Sequence, residues 1–289
     1  MDFKNATELL DLCQREGMAI SSVMTRRECD LTESDMEHIR FRMEQALVIM
    51  KDSAHTPVRN PGKSVGGLIG GEAAKLAKHR EEGRSICGSV LGRAITYAMA
   101  VLEVNASMGL IVAAPTAGSS GVVPGLLLAL QEENRLSDEA VMEALFNASA
   151  IGYLAMRNAT VAGAVGGCQA EVGVASAMAA SAAVELMGGT PKQCLDAAST
   201  AIMNLLGLVC DPIGGLVENP CQSRNVMGTA NALSCAEMAL SGIQQMIPLD
   251  EMLAAMYSVG RGLPHELRET ALGGCAATPT GCAFGGCTG

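Results

Sequence analysis

Aromatic residues are almost absent from this chain, which has no Trp, 3 Tyr and 4 Phe among 289 residues. Hydrophobic residues still make up 49%, so the core has to be built from Ala, Leu, Val, Ile and 18 Met. Small and unbranched side chains suit closely packed helices, whereas sheets are enriched in β-branched and aromatic residues. We therefore predict an all-α, multi-helix single domain whose Gly/Pro-rich loops converge on one cavity.

Basic residues are also scarce, with 20 Lys and Arg against 30 Asp and Glu and a formal net charge of −10. Nucleic-acid binding needs clustered cations that neutralise phosphates, so the charge balance argues against nucleic acid as a partner. The N-terminus lacks a charged-then-apolar signal peptide, and 11 cysteines are an odd number in a long chain. We expect a protein of the reducing cytoplasm.

The uncharged stretch from Val104 to Gln131 is long enough to span a bilayer. Its interior contains Asn105, Pro115 and Pro124, which would leave polar groups without partners in lipid. We predict a buried loop between two core helices here, and no membrane association.

Helix signals run along most of the chain, and no repeat or flexible linker interrupts them. Residues 1–51 are predicted to form a helical preface to a core and tail at 52–289, with residues 52–71 as an ordered, turn-rich loop. Capping and periodicity predict about ten helices, at 5–14, 33–51, 72–82, 87–104, 137–157, 171–187, 190 onward, 224 or 225 to 241, and 249–260.

Three cysteines lie in glycine- or proline-containing sequence that is typical of loops: Cys168, Cys210 and Cys221. Tight turns place backbone N–H groups around sulfur, which is how proteins hold and tune iron-sulfur clusters. Their separations match no short paired-cysteine motif, so buried free thiols remain an alternative. The other internal cysteines, in helical or helix-flanking sequence, are predicted to be core residues: Cys13, Cys29, Cys87, Cys194 and Cys235.

The segment from Ala114 to Gly125 is a second candidate site, because it offers several backbone N–H groups and three hydroxyls before a predicted helix. Such a loop suits a carboxylate or phosphate. An ordinary capped turn is the alternative.

Several motifs of the chain together resemble the α subunit of iron-sulfur-dependent L-serine dehydratases. They are the three cysteine loops, this Pro-Thr-Ala-Gly-Ser-Ser-Gly-Val-Val-Pro-Gly segment, the Arg-Asn-Ala-Thr-Val-Ala-Gly stretch at 157–163 and the Glu-Thr-Ala-Leu-Gly-Gly tail at 269–274. The resemblance covers essentially the whole chain. It implies a 4Fe-4S cluster held by Cys168, Cys210 and Cys221. It also implies β-elimination of water from L-serine to give pyruvate and ammonia without pyridoxal phosphate, with the open iron as Lewis acid.

The base that removes the α-proton is not identified by the sequence, and the candidates are Lys63, His55 and Glu218. Candidate substrate-binding residues are Ser119, Ser120, Lys63, Arg157, Asn158 and Asn219, with Asn225 also near the cysteine loops.

The C-terminal tail contains three more cysteines, Cys275, Cys282 and Cys287. Some members of the family place a C-terminal cysteine at the open iron, and Cys287 is expected to do so here. A flexible, oxidisable terminus is the alternative.

Single-chain members of the family carry a further domain with a Ser-His-Thr-x-Gly-Pro motif, which Ser53-Ala54-His55-Thr56-Pro57 does not match. The resemblance therefore implies a separate β subunit, and we expect assembly into a higher oligomer. Two other functions stay open: a cysteine-desulfidase-like lyase on the same scaffold, and a non-catalytic iron-sulfur sensor.

Overall fold

The computed structural model describes residues 1–285, and this part of the chain contains thirteen α-helical segments and no β-strand. The all-α prediction is therefore confirmed. The segments are α1 Ala6–Glu16, α2 Ile20–Thr32, α3 Met36–Arg59, α4 Glu72–Glu81, α5 Gly88–Ala106, α6 Val122–Asn134, α7 Asp138–Asn158, α8 Gly163–Gly166, α9 Val174–Leu186, α10 Pro191–Met203, α11 Cys221–Leu240, α12 Leu249–Gly262 and α13 Pro279–Cys282.

Helix α9 is the centre of the fold, with every residue from Val174 to Val184 buried. Six of its thirteen residues are alanine, and small side chains let α6, α7, α10 and α11 approach it closely. Glycine serves the same purpose between α5 and α6, where a side chain at Gly125 would lie 2.9 Å from the Ala94 carbonyl oxygen. The scarcity of aromatic residues is thus matched by short distances between helices.

Local signals locate several helix ends correctly. The Ser137 side chain accepts from the Ala140 N–H at the start of α7, and Thr190 forms a reciprocal cap with Gln193 at the start of α10. Within the described residues, no helix has the length and apolarity needed to cross a bilayer. Residues 107–121 connect α5 and α6, and residues 122–131 already belong to α6. Residues 107–110 of the connection are exposed and residues 119–121 are buried, so the predicted buried loop is wrong for the first part of this segment.

Two helices near the N-terminus differ from the predictions. Helix α2 was not predicted, since its N-cap Ala19 provides no side-chain hydrogen bond. Helix α3 continues through Pro57 to Arg59, because Ser53, Ala54 and Pro57 are all buried. The loop predicted at 52–71 is therefore helical as far as Arg59. The proposed division between preface and core at residue 51 lies within this helix and remains a proposal.

Candidate metal centre

The three cysteines selected from the sequence line one cavity of about 220 Å³. Cys168 precedes a π-helical turn at 169–173, which leads into α9. Cys210 lies in an extended segment, and Cys221 is the first residue of α11. The start of α11 at Cys221 corrects the predicted start at 224 or 225 and shows that this cysteine is not in a loop. Segments far apart in sequence therefore bring three sulfur atoms to one place.

The turn at Cys168 is fixed by its neighbours in sequence. Gly167 adopts a φ of +73°, and a side chain there would lie 2.8 Å from the Leu208 carbonyl oxygen. The Gln169 side chain donates to the Met256 carbonyl and accepts from the Gly207 N–H, both at 2.9 Å. These contacts tie the turn to α12 and to the segment that leads to Cys210.

Cys210 is held by the segment that follows α12. Its N–H donates to the Leu267 carbonyl, and its own carbonyl accepts from the Glu269 N–H, both at 2.8 Å. This short bridge places the Glu269 side chain on the cavity lining.

A buried cation lies behind Cys168. Arg224 Nη1 donates to Cys168 Sγ at 3.5 Å and to the Val209 carbonyl at 2.8 Å. Arg224 Nη2 forms an ion pair with Asp211 Oδ1 at 2.6 Å. Asp211 in turn accepts from the Cys275 N–H at 2.6 Å, so the tail is joined to the same network.

The sulfur atoms do not have the same proton affinity. A hydrogen bond from Cys210, helped by the charge of Arg224, lowers the pKa of Cys168 despite its burial. The same shared hydrogen bond, together with burial, raises the pKa of Cys210. Burial raises the pKa of Cys221 to about 12. Cys168 is therefore the first of the three thiols to lose its proton as the pH rises. Metal binding would displace the protons of Cys210 and Cys221.

A carboxylate absent from the sequence-based candidates completes the cavity. Ligand atoms of Cys168, Glu171 and Cys210 all lie within 4.8 Å of one another, a spacing that could hold a metal ion. Thr116 Oγ1 donates to Glu171 Oε1 at 2.8 Å. Burial raises the pKa of Glu171, and the nearby charge of Glu269 adds to the effect. The three-residue spacing between Cys168 and Glu171 was the available signal, because it places both on one side of a helical turn.

The turn at 116–121 borders the cavity through Thr116, Ala117 and Gly118. Ser119 and Ser120 are fully buried, and their hydroxyls contact Thr116 and the Ala117 carbonyl within the turn. Ser119 and Ser120 do not line the cavity, and their hydroxyls stabilise the turn itself.

Asn225 connects the turn to the start of α11. Its Oδ1 accepts from the Gly121 N–H at 3.0 Å, and its Nδ2 donates to the carbonyls of Gly118 at 2.8 Å and Cys221 at 2.9 Å. Asn225 is fully buried. It therefore fixes the turn and a cysteine relative to each other.

The base candidates do not line the cavity. Glu218 accepts from Ser64 Oγ, the Gly66 N–H and the Leu68 N–H at 2.6, 2.7 and 2.9 Å, so it organises the 64–68 loop. Lys63 is exposed beside this loop. His55 contacts Glu132 at 2.9 Å, ten residues into α6 and so about 15 Å along that helix from the cavity turn.

The other candidates also lie outside the cavity lining. Arg157 and Asn158 are exposed at the end of α7, where Asn158 Nδ2 donates to the Lys4 carbonyl at 2.8 Å. Asn219 is exposed and precedes a cis peptide bond to Pro220. Cys287, the predicted fourth sulfur, lies outside the described residues. Cys13, Cys194 and Cys235 are buried in the helical core, as predicted. Cys29 and Cys87 are only half-buried and lie outside that core, so the prediction is wrong for these two.

Comparisons with known proteins agree on one family. The family model described as "Serine dehydratase alpha chain" matches residues 15–276. The chain is similar to the "Probable L-serine dehydratase, alpha chain" of Bacillus subtilis (strain 168), with 46% identity over 96% of this chain and 93% of the relative. It is 42% identical to the "L-serine dehydratase, alpha chain" of Peptoniphilus asaccharolyticus, over 96% of this chain and 94% of the relative.

A longer relative shows a different arrangement. The "L-serine dehydratase" of Helicobacter pylori (strain ATCC 700392 / 26695) is 38% identical over 96% of this chain, but the match covers 62% of that relative. The chain therefore corresponds to nearly the full length of the alpha-chain relatives and to a part of the longer one.

Proposed function

The chain belongs to the family of serine dehydratase alpha chains, and we propose that it acts as the alpha chain of an L-serine dehydratase. The enzyme is a lyase that converts L-serine into pyruvate and ammonia without pyridoxal phosphate. The observation that carries this proposal is the meeting of Cys168, Cys210 and Cys221 at one cavity in a chain of this family.

The resident group in this proposal is a 4Fe-4S cluster held by the same three cysteines. The donor set fits such a group, because three sulfurs line one buried cavity and Cys168 is already biased toward the thiolate. When bound, the cluster supplies a Lewis-acidic iron that stabilises negative charge on the departing hydroxyl oxygen. Cys287 as a further sulfur at this iron remains part of the proposal.

The chain's own residues prepare the cavity for a small polar substrate. Val172, Pro212 and Val217 contribute apolar walls that limit the access of water. Asn225 holds the backbone of the 116–121 turn beside Cys221. Substrate contacts from Ser119, Ser120, Lys63, Arg157, Asn158 and Asn219 remain predictions. So does the assignment of the base to Lys63, His55 or Glu218.

A beta chain is the proposed partner, within a higher oligomer. Support comes from the "alpha chain" names of the relatives and from the greater length of the Helicobacter pylori relative. We place the protein in the cytoplasm, since nine of the ten cysteines in the described residues are free thiols, which suits a reducing compartment.

The test is anaerobic reconstitution with iron and sulfide, followed by a pyruvate assay with and without a beta chain. We expect pyruvate from L-serine, at a higher rate when the beta chain is present. Faster release of sulfide from L-cysteine would favour the desulfidase-like lyase, and a stable cluster without turnover would favour the sensor. The comparisons favour neither alternative.

A further inference from the structure

The cavity beside the cysteines has carboxylates but no cation on its lining. Glu171 and Glu269 both line it, and no Lys, Arg or His side chain of the described residues does so. The Arg224 guanidinium, which contacts Cys168, is already engaged by Asp211 and by the Val209 carbonyl. A ligand with a positively charged group would therefore complete the site.

The Glu171 carboxylate is held in a fixed position. It lies on the π-helical turn after Cys168, and Thr116 Oγ1 donates to its Oε1 at 2.8 Å. Its Oε2 lies 4.0 Å from Cys210 Sγ. A side chain at Gly163 would come within 2.5 Å of Oε2, so only glycine allows the backbone to pack against this oxygen. One oxygen is therefore anchored to the turn, and the other faces the space near the cysteines.

An amino-acid substrate carries one group that suits this oxygen. A buried carboxylate is stabilised by a hydrogen-bonded cation, and an α-ammonium group offers three donors with a positive charge. The side chain of Glu269 is exposed at the mouth of the cavity, where it adds negative charge along the entry route. A hydroxy acid would lack the charge needed to pair with either residue.

We propose that Glu171 binds the α-ammonium group of the substrate and that Glu269 assists from the cavity mouth. The pair would make the site specific for amino acids over 2-hydroxy acids. This inference rests on the proposed function, since it assumes that an amino acid enters this cavity. It differs from a role of Glu171 as a metal ligand, which the spacing of Cys168, Glu171 and Cys210 also allows.

The test compares Glu171→Gln with Glu185→Gln in the reconstituted enzyme with its beta chain. Glu185 is a matched control, because it is a largely buried carboxyl in α9 whose pKa is also raised by burial. It accepts from Asn147 at 2.6 Å and does not line the cavity. Three quantities are measured: bound iron and sulfide, the KM for L-serine, and inhibition by L-glycerate, in which a hydroxyl replaces the ammonium group.

We expect Glu171→Gln to keep its iron and sulfide and to raise the KM for L-serine about 10- to 100-fold, the effect of losing one charge-assisted hydrogen bond. The inhibition constant of L-glycerate should stay the same or fall. Glu185→Gln should change neither the KM for L-serine nor the inhibition constant of L-glycerate. A loss of iron in Glu171→Gln alone would identify a metal ligand and overturn the inference. An equal loss of affinity for L-serine and L-glycerate would also overturn it.

Glu269→Gln provides a second test that does not depend on a buried substitution. The exposed position tolerates the change, and we expect a smaller rise in the KM for L-serine, about threefold, with unchanged inhibition by L-glycerate. An unchanged KM would remove Glu269 from the inference. The wild-type enzyme is assayed first, because failure to release pyruvate from L-serine would overturn the proposed function itself, whereas unchanged variants of an active enzyme would overturn only the ammonium site.

Discussion

Arg224 Nη1 lies 3.5 Å from Cys168 Sγ, and the same guanidinium pairs with Asp211 at 2.6 Å. The Arg224 and Asp211 side chains are 13% and 3% exposed, so this is a largely buried ion pair. It gives the thiolate of Cys168 a positive neighbour that is present in the fold before any metal binds.

Replacement of Arg224 by Met should leave Asp211 buried without its cation. We expect the free energy of unfolding to fall by about 3–5 kcal/mol, as measured by urea denaturation under reducing conditions. The double variant Arg224→Met with Asp211→Asn removes both charges and should recover much of the loss. Equal destabilisation in the single and double variants would show that the ion pair is not responsible.

Asn225 should stabilise the turn that borders the cavity. In Asn225→Ala, the Gly121 N–H and the carbonyls of Gly118 and Cys221 lose buried partners, which should lower stability by about 1–3 kcal/mol. Asn134→Ala is the control, because this exposed side chain donates only to the Leu130 carbonyl in the hydrogen bonds described. Hydrogen exchange at residues 117–121 should accelerate in the first variant, and identical exchange in both would contradict the assignment.

The Glu132 carboxylate should make stability depend on pH. Burial alone would raise its pKa, but hydrogen bonds from His55, Tyr97 and Arg93 outweigh burial and lower the pKa from 4.5 to about 2. Ionisation of Glu132 therefore stabilises the folded state. This stabilisation is fully present above about pH 4.5 and is lost as the pH falls toward 2.

Glu132→Gln should accordingly destabilise the protein by about 1–3 kcal/mol at pH 7 and by less at pH 3. Urea denaturation of both proteins at the two pH values provides the measurement. A difference in unfolding free energy that does not change with pH would show that ionisation of Glu132 contributes nothing.

Much of the helical fold could be predicted because its signals are local. Ser137 and Thr190 begin their helices with side-chain caps, and both starts were correct. Helix α2 lacks such a cap, and α3 passes through Pro57, where packing outweighs the usual effect of proline. The boundaries that failed are those set by tertiary contacts.

In the candidate site, too, the residues with local sequence signals could be predicted, and those placed by tertiary contacts could not. Glycine and proline around the cysteines selected the three sulfurs that line the cavity. Arg224 and Glu269 could not be found in this way, because their positions depend on the start of α11 and on the pairing of Cys210 with Arg268. Glu171 could have been predicted from the sequence, since it follows Cys168 by three residues.

Glu218 should organise a loop, and its replacement distinguishes this role from that of a base. Glu218→Gln weakens the acceptor for the Gly66 and Leu68 N–H groups, so hydrogen exchange at these residues should accelerate. A variant with wild-type exchange but no turnover would instead support Glu218 as the base. Thr56→Ala is a control, since its exposed hydroxyl contacts Asp52 at 2.9 Å, away from this loop.

The most direct test of the account is the iron and acid-labile sulfide content of Cys210→Ser compared with Cys235→Ser after anaerobic reconstitution. Cys235 is a buried control whose thiol contacts Asn231 Oδ1 at 3.6 Å, an acceptor that a serine hydroxyl can also use. We predict that Cys210→Ser loses the 4Fe-4S absorbance and pyruvate formation, whereas Cys235→Ser retains both. A full complement of iron and sulfide in Cys210→Ser would contradict the assignment of the cluster to Cys168, Cys210 and Cys221.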